Sequence, residues 1–291
     1  MERPSYLGAL QAFKVYGPEF VTLPLDDQGL QVEDLIEVLA QKPKFLYLLP
    51  NFHNPAGVTL ATERREFIVD QARRFGVPIV EDDPYGQLRY EGEHRPAVIA
   101  LDREATGTEG MAGGNVIYLS SFSKVLAPGL RLGWVIAPEE VIAKLVQLKQ
   151  GADLHSSTFC QMVAYEVASE GFLDENIQKL RTVYRERRDA MLEAMSAHFP
   201  DEVTWTRPEG GLFLWLTLPR GMDSERVLAD SLEENVAFVP GAAFYADGPE
   251  GARHSRLNYS CVGPELINEG IERLAGVLKD HVTAVSATVP M

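Results

Sequence analysis

The first half of the chain contains short apolar runs that end in polar residues. Runs of four to five apolar residues followed by turn-forming residues favour buried strands over helices. A stretch of helical periodicity separates the first two runs, as expected when parallel strands are joined by a crossover helix. The pattern therefore predicts a mainly parallel sheet covered by helices on both faces. The three runs are Phe45–Leu49, Val77–Val80 and Val116–Leu119.

The predicted crossover helix covers residues 63–75. Thr62 is a candidate for its N-cap, and Gly76 is a typical C-terminal stop. A further apolar run, Leu132–Ala137, follows the third strand after a connection that is too short to hold a crossover helix. We therefore expect this run to return antiparallel to the strand before it.

The second half of the chain is first helical and then mixed. Helical patterns cover Glu139–Gln150, Phe159–Ser169 and a long stretch from about Leu173 to His198. The remainder predicts a compact α+β region. Its expected strands lie near Val203–Trp205, Phe213–Leu218, Ala237–Val239 and Arg256–Ser260.

Polar residues cluster after each of the three parallel strands. The clusters are residues 50–57, 81–85 and 120–124. In open α/β sheets, ligands bind outside the carboxyl ends of the strands. We therefore expect the three clusters to face one cleft.

Composition and charge narrow the function classes. At 291 residues with 45% hydrophobic composition, the chain can bury a large core. The formal net charge of -15 argues against a nucleic-acid partner, because such binding relies on clustered Lys and Arg. Cys160 and Cys261 are too few for a disulfide framework, and no apolar run approaches the length of a membrane span. We therefore expect a cytoplasmic protein that binds neither nucleic acid nor membrane.

Lys124 is the candidate nucleophile among these residues. It follows an apolar strand, and Arg131 lies seven residues further along. A lysine in such a place can lose its charge and bind the aldehyde of a cofactor covalently. Taken alone, the same lysine is more typical of a solvent-exposed surface.

Four motifs in order resemble the fold-type I pyridoxal-phosphate-dependent aminotransferases. Three further stretches are similar to the 2-aminoadipate (LysN-like) aminotransferases within that family, and the resemblance covers nearly the whole chain. The four motifs are Asn54-Pro55-x-Gly57, Asp82-x-x-Tyr85, Ser121-x-x-Lys124 with Arg131, and Arg256 in Arg-Leu-Asn-Tyr. The three stretches are Tyr6–Phe13, Lys149–His155 and Asn235–Gly241.

The resemblance implies a fold and an activity. It implies the mainly parallel, seven-stranded-type sheet of the family's large domain, incomplete at its N-terminus, in residues 1–172. The interdomain helix and a smaller α+β domain would occupy residues 173–291. It also implies a homodimer that uses pyridoxal 5'-phosphate to move an amino group between an amino acid, 2-aminoadipate-like or broader, and a 2-oxo acid such as 2-oxoglutarate.

The resemblance assigns catalytic roles to Lys124, Asp82 and Tyr85, and a cofactor-binding role to Asn54. Lys124 would hold the cofactor and move the proton, and Asp82 would pair with the cofactor's ring nitrogen. Tyr85 and Asn54 would reach the cofactor's phenolic oxygen. On chemistry alone Glu81 and Asp83 compete with Asp82, whose spacing to Tyr85 matches the family.

The remaining roles concern the phosphate, the ring and the substrate. Ser121 and Arg131 resemble the family's phosphate ligands, and Tyr6 matches an aromatic residue that stacks on the cofactor ring. Arg256, with help from Asn54, would bind the substrate carboxylate. No histidine spacing typical of a metal site occurs, so we expect no metal.

Other functions share these motifs. Effector domains of GntR/MocR-type transcription regulators carry them, and a shortened, catalytically impaired aminotransferase would carry them too. The lysine, aspartate and arginine also serve elimination, racemisation and decarboxylation. The sequence does not specify the side chain of the substrate.

Overall fold

A computed structural model describes residues 1–107, 114–246 and 249–288 of the chain. Its internal contacts group the chain into two compact units. The first contains Met1–Glu2, Val21–Asn51 and Thr59–Arg181, and the second contains Arg3–Phe20, Phe52–Val58 and Thr182–Met291. The domain division between residues 172 and 173 stays a prediction.

The bounds of the regular elements are as follows. The strands are β1 (Glu2–Arg3), β2 (Leu23–Asp26), β3 (Gly29–Leu30), β4 (Leu46–Leu48), β5 (Ile79–Asp82), β6 (Val116–Ser121), β7 (Gly133–Ile136), β8 (Thr204–Trp205), β9 (Phe213–Thr217), β10 (Val239–Pro240) and β11 (His254–Asn258). The helices are α1 (Leu7–Lys14), α2 (Leu35–Ala40), α3 (Thr62–Phe75), α4 (Val98–Thr106), α5 (Glu139–Asp153), α6 (Thr158–Ser169), α7 (Phe172–His198), α8 (Ser224–Glu233) and α9 (Pro264–Thr288).

The first unit contains the predicted sheet. Its strands follow the order β4-β5-β6-β7. The first three are parallel, and β7 pairs antiparallel with β6 after a short 3-10 helix at Pro128–Leu130. The prediction of a mainly parallel sheet with an antiparallel return is confirmed.

Helices α2, α3 and α4 pack against one face of this sheet. Leucines of α2, Ile68 and Ala72 of α3, and Val98 of α4 share one core with Leu48 and Ile79 of the sheet. Helix α3 ends at Gly76, whose φ of 67° is the left-handed conformation expected of a glycine stop. Thr62 was wrongly expected to cap this helix. The N-cap is Ala61, which uses no side chain, and Thr62 is the first helical residue.

Side chains alternate strictly along β5. Ile79 and Glu81 are buried, whereas Val80 and Asp82 on the opposite face are half-buried. The Glu81 carboxylate accepts hydrogen bonds from the backbone N–H groups of Val98 and Ile99, each at 2.8 Å. These are the first amides of α4, which have no acceptor within the helix itself. Glu81 therefore caps α4 from the sheet, and its burial raises the pKa of its carboxyl to about 7.

The second unit has an antiparallel sheet of order β10-β11-β9-β8. Every residue of β11 pairs with one of β9, and Arg256 pairs with Trp215. Helices α8 and α9 contact each other, and the apolar face of α9 is buried through Ile267, Ile271 and Leu274. This is the α+β arrangement that the sequence predicts.

In the described ranges, no helix combines the length and the hydrophobicity that crossing a membrane requires. The same ranges contain no group of three or more His, Cys, Asp or Glu side chains that could hold a metal ion.

We predict that Glu81→Gln destabilises the first unit. The glutamine amide has one acceptor oxygen, so one buried N–H of α4 loses its partner, at a cost of about 1–3 kcal/mol. Denaturant unfolding followed by circular dichroism measures the change. Glu104→Gln is the matched control, because Glu104 is exposed on the same helix. Equal stability of E81Q and the wild type would show that α4 does not depend on this cap.

Candidate active site

Predicted site residues lie at the carboxyl ends of β5 and β6. Asp82 is the last residue of β5 and pairs with Leu119. Ser121 is the last residue of β6 and pairs with Gly133. Lys124 is half-buried in the turn that follows β6. The parallel register thus brings Asp82, Ser121 and Lys124 to the same edge of one sheet.

The Asp82 carboxylate has a partner that the sequence did not reveal. The Tyr47 hydroxyl donates a hydrogen bond to its Oδ2 at 2.6 Å. Tyr47 belongs to β4, pairs with Val80 and is buried. Burial raises the pKa of Asp82 to about 6, and the bond from Tyr47 opposes that rise. The one available signal was a hydroxyl-bearing side chain inside the apolar run 45–49.

The neighbouring carboxyls, Glu81 and Asp83, have other structural partners. Asp83 is buried, accepts a hydrogen bond from the Tyr118 hydroxyl at 3.1 Å and accepts one from the Gly86 amide at 2.9 Å. Because side chains alternate along a strand, Glu81 and Asp83 share the face that packs on the helices. Asp82 lies on the opposite face.

Ser121 and Arg131 frame the corner between β6 and β7. The Ser121 hydroxyl donates to the Leu132 carbonyl at 3.1 Å and accepts from the Ser123 amide at 3.0 Å. Arg131 has a φ of 53°, unusual for a residue other than glycine, and its Nη1 donates to the Pro128 carbonyl at 3.1 Å. Its side chain is exposed. The corner therefore carries an exposed guanidinium, which binds phosphate oxygens well, and a hydroxyl whose one proton is donated to Leu132.

A buried arginine fixes the chain directly after β4. Arg65 of α3 is fully buried and donates to the carbonyls of Leu60, Pro50 and Pro96 and to Oδ1 of Asn51. Burial lowers its pKa to about 10, a change that the charges of Glu81 and Asp83 oppose. The guanidinium keeps its charge at neutral pH and ties these loops to the sheet.

Tyr85 follows the same segment of β5. Its side chain is 4% exposed, and its carbonyl accepts a hydrogen bond from the Leu88 amide at 2.7 Å. The turn that carries it is closed by Asp83 through the Gly86 amide. The Asp82-x-x-Tyr85 spacing thus corresponds to a strand end followed by one tight turn.

In the second unit, Arg256 and Asn54 form a hydrogen-bonded pair. Arg256 Nη1 donates to Asn54 Oδ1 at 2.8 Å. The Arg256 guanidinium carbon lies 4.3 Å from the ring centroid of Phe213 and 5.0 Å from that of Phe244. Two aromatic rings and an amide therefore hold the guanidinium in one place, as cation–π contacts do.

Gly57 explains why the Asn54 motif ends in glycine. Its φ is 72°, and a Cβ atom there would lie 2.7 Å from the Phe213 carbonyl oxygen. Only glycine permits this approach. The motif therefore lies directly on β9, the strand whose first residue, Phe213, also contacts Arg256.

Tyr6 lies at the start of α1 in the second unit and is 36% exposed. Its ring covers Gly8, where a Cβ atom would be 2.6 Å from the Tyr6 hydroxyl oxygen. The absence of a side chain at residue 8 thus leaves room for the ring beside α1. A partly exposed aromatic face of this kind can stack on a planar ligand.

The donor set of the first unit fits pyridoxal phosphate. The cofactor needs an amine for its aldehyde, an anion for its ring nitrogen, a hydrogen-bond donor for its phenolic oxygen and cations for its phosphate. The first unit offers one of each in Lys124, Asp82, Tyr85 and Arg131. The carboxyl of Asp82, whose pKa burial raises, is the decisive feature, because a nearby cation would relieve the cost of its burial.

Comparisons with known proteins agree with this fit. The family model for aminotransferase class I and II matches residues 1–274. Aromatic-amino-acid aminotransferase 1 of Thermococcus litoralis is 46% identical over 288 residues, which are 97% of this chain and 67% of that protein. The HTH-type transcriptional regulator YisV of Bacillus subtilis is 34% identical over 94% of this chain and 54% of its own length.

One solved aminotransferase structure resembles this chain along almost its whole length. LysN, the alpha-aminoadipate aminotransferase of Thermus thermophilus in complex with N-(5'-phosphopyridoxyl)-L-leucine, superimposes with a TM-score of 0.92 at 44% identity. The match covers 97% of this chain and 71% of that one. With the family model spanning most of its length, the chain belongs to the class I and II aminotransferases, pyridoxal-phosphate-dependent enzymes that exchange amino groups between amino acids and 2-oxo acids.

Proposed function

We propose that this enzyme transfers the amino group of 2-aminoadipate-like or aromatic amino acids to a 2-oxo acid such as 2-oxoglutarate. The observation that carries the proposal is the Arg256 guanidinium, fixed by Asn54, Phe213 and Phe244. A guanidinium held in one orientation binds a carboxylate through two parallel hydrogen bonds. The relative from Thermus is named an alpha-aminoadipate aminotransferase, and the one from Thermococcus is named an aromatic-amino-acid aminotransferase. These names support both kinds of substrate side chain.

The proton transfer is the task of Lys124. When bound, pyridoxal phosphate withdraws electrons from the α-carbon of the amino acid and makes its proton acidic. The ε-amine of Lys124 would take that proton as a general base and deliver it as a general acid to the carbon that came from the cofactor's aldehyde. Lys124 is half-buried in the turn after β6, at the sheet edge that also carries Asp82.

The other residues bind and orient. Asp82 would present an anion to the cofactor's ring nitrogen, and Tyr85 would donate to the phenolic oxygen, with Asn54 as a further donor. Ser121 and Arg131 would bind the phosphate, and Tyr6 would stack on the ring. The separation of Asp82 from Glu81 and Asp83 by the alternation of β5 supports its choice among the three carboxyls.

We also propose that the enzyme is a cytoplasmic homodimer. Both cysteines are free thiols, as is usual in reducing compartments. In the first unit, β7, α5 and α6 expose many apolar side chains, and clustered exposure of this kind marks interfaces. These side chains include Trp134, Val135, Leu145, Val146, Leu148, Phe159, Met162 and Tyr165.

A second candidate function is effector sensing in a transcription regulator. The likeness to YisV favours it, because that match extends over nearly the whole of this chain. A sensor needs Arg256 and Lys124 to bind an amino acid but does not need to release the product. Turnover with an amino donor and a 2-oxo acid therefore separates the two functions.

The first prediction for this function concerns Lys124. The full chain with pyridoxal phosphate should convert 2-aminoadipate and 2-oxoglutarate to 2-oxoadipate and glutamate, measured by chromatography of the products. Lys124→Ala should lower kcat by about a thousandfold or more, since both covalent binding and proton transfer are lost. Borohydride reduction followed by peptide mass mapping should place the cofactor on Lys124.

Lys144→Ala is the matched control, because Lys144 is an exposed lysine of α5. It should retain wild-type turnover. Reduced cofactor on a different lysine would contradict the assignment of Lys124. A wild type that binds the cofactor and the amino acid without any turnover would support the sensor instead.

The second prediction concerns Arg256. Arg256→Lys should raise KM for amino acids about ten- to a hundredfold, because a lysine cannot make the bidentate contact. Initial rates over a range of donor concentrations measure this change. Arg226→Lys, a change on the exposed face of α8, should leave KM within about twofold of the wild type, as surface substitutions generally do. An unchanged KM in R256K would show that the substrate carboxylate binds elsewhere.

A further inference from the structure

We propose that Tyr47 is a positioning residue for the reaction, because its hydroxyl holds the Asp82 carboxylate in one orientation, from which it would meet the cofactor's ring nitrogen. The inference rests on the proposed role of Asp82 and adds to it a residue from a different strand. In this role Tyr47 acts through Asp82 and needs no contact with the substrate.

Strand register places Tyr47 on the correct face. Tyr47 of β4 pairs with Val80, and Asp82 lies two residues beyond Val80 on the same face of β5. The Tyr47 hydroxyl therefore reaches the carboxylate from the neighbouring strand. The distance from Tyr47 Oη to Asp82 Oδ2 is 2.6 Å, which is typical of a hydroxyl bound to an ionised carboxylate.

The surroundings of Asp82 make such a donor necessary. Burial favours the neutral acid, and the charges of Asp83 and Glu2 also raise the pKa of Asp82. The hydrogen bond from Tyr47 is the influence that lowers it. Without this bond the carboxylate would bind a proton more tightly, and it would compete with the ring nitrogen for the proton that they share.

The contact also fixes geometry. One carboxylate oxygen, Oδ2, is engaged by Tyr47, so the rotation of the carboxyl group about χ2 is restricted. Tyr47 itself is 3% exposed and has little freedom to move. The second oxygen is thereby presented in a constant direction, and a constant direction is what a preorganised ion pair needs.

Tyr118 offers an internal comparison. It also lies in this sheet and donates its hydroxyl to an aspartate, but its partner is Asp83 on the helix-packed face, at 3.1 Å. Tyr118 pairs with Glu81, so its side chain shares the face of that residue. Tyr47→Phe and Tyr118→Phe would each remove one hydrogen bond between a tyrosine hydroxyl and an aspartate. Of the two, it is Tyr47→Phe that removes the bond to Asp82.

The test compares Tyr47→Phe with the wild type and with Tyr118→Phe, each loaded with pyridoxal phosphate labelled with ¹⁵N in the ring. The ¹⁵N chemical shift reports whether the ring nitrogen carries a proton. We expect the shift in Y47F to move toward the unprotonated form, while Y118F matches the wild type. The kcat of Y47F should fall by about tenfold to a hundredfold, the equivalent of one hydrogen bond to a charged group, with KM within about twofold.

A double-mutant cycle shows whether Tyr47 acts through Asp82. On the background of Asp82→Asn, the Y47F change should have no further effect on kcat or on the ring-nitrogen shift. Circular dichroism melting of Y47F and Y118F checks that both fold. An equal loss of kcat in Y47F and Y118F, or an additive loss in Y47F/D82N, would overturn the role of Tyr47.

The outcomes also separate this inference from the proposed function. A wild type that binds the cofactor and turns over, beside a Y47F with unchanged shift and kcat, overturns the role of Tyr47 alone. A wild type that does not bind the cofactor at all overturns the proposed function, and the role of Tyr47 with it.

Discussion

The arrangement of the first unit depends on the alternation of side chains along β5. Three consecutive acids, Glu81, Asp82 and Asp83, lie at the end of this strand, with Asp83 just beyond its last residue. Three carboxylates close together on one face would repel one another. Alternation sends Glu81 and Asp83 to the face that packs on the helices, where backbone amides and a tyrosine satisfy them. It leaves Asp82 on the other face, with the Tyr47 hydroxyl as its donor. One strand thus supplies both a structural cap for α4 and a carboxylate available for chemistry.

Local pattern was sufficient to predict the elements whose signals lie within their own sequence. The apolar runs predicted both ends of β4, β5, β6 and β7 to within two residues, and Gly76 marked the end of α3. Helix α4 was not predicted, because its start is capped by Glu81, which precedes it by 17 residues. Strand β11 begins at His254 and was expected only at Arg256, since its start depends on pairing with Thr217 of β9. A cap or a strand end set by a distant partner leaves no trace in local composition.

The candidate active site shows the same difference between local sequence signals and contacts with distant residues. The sequence motifs named Asp82, Lys124 and Arg256, whose neighbours along the chain form recognisable patterns. They did not indicate Tyr47, because its contact with Asp82 depends on how β4 pairs with β5. Nor did they indicate that Phe213 and Phe244 hold the Arg256 guanidinium, since these rings come from β9 and from the short helix Gly241–Phe244. Motifs along the chain indicate the candidate site residues. The pairing of strands decides which other side chains contact those residues.

Burial of so many charges in one sheet is costly, and the structure shows how the cost is distributed. Arg65 is fully buried and lies near Glu81 and Asp83, so each charge partly compensates the others. Buried ion networks of this type seldom add stability compared with apolar packing, although breaking one partner is strongly destabilising. Asp82 lies outside this compensated set, and the Tyr47 hydroxyl lowers its proton affinity while two acidic neighbours raise it. A carboxylate with this partial support gains most from a nearby cation, because a positive charge would offset the cost of burying it.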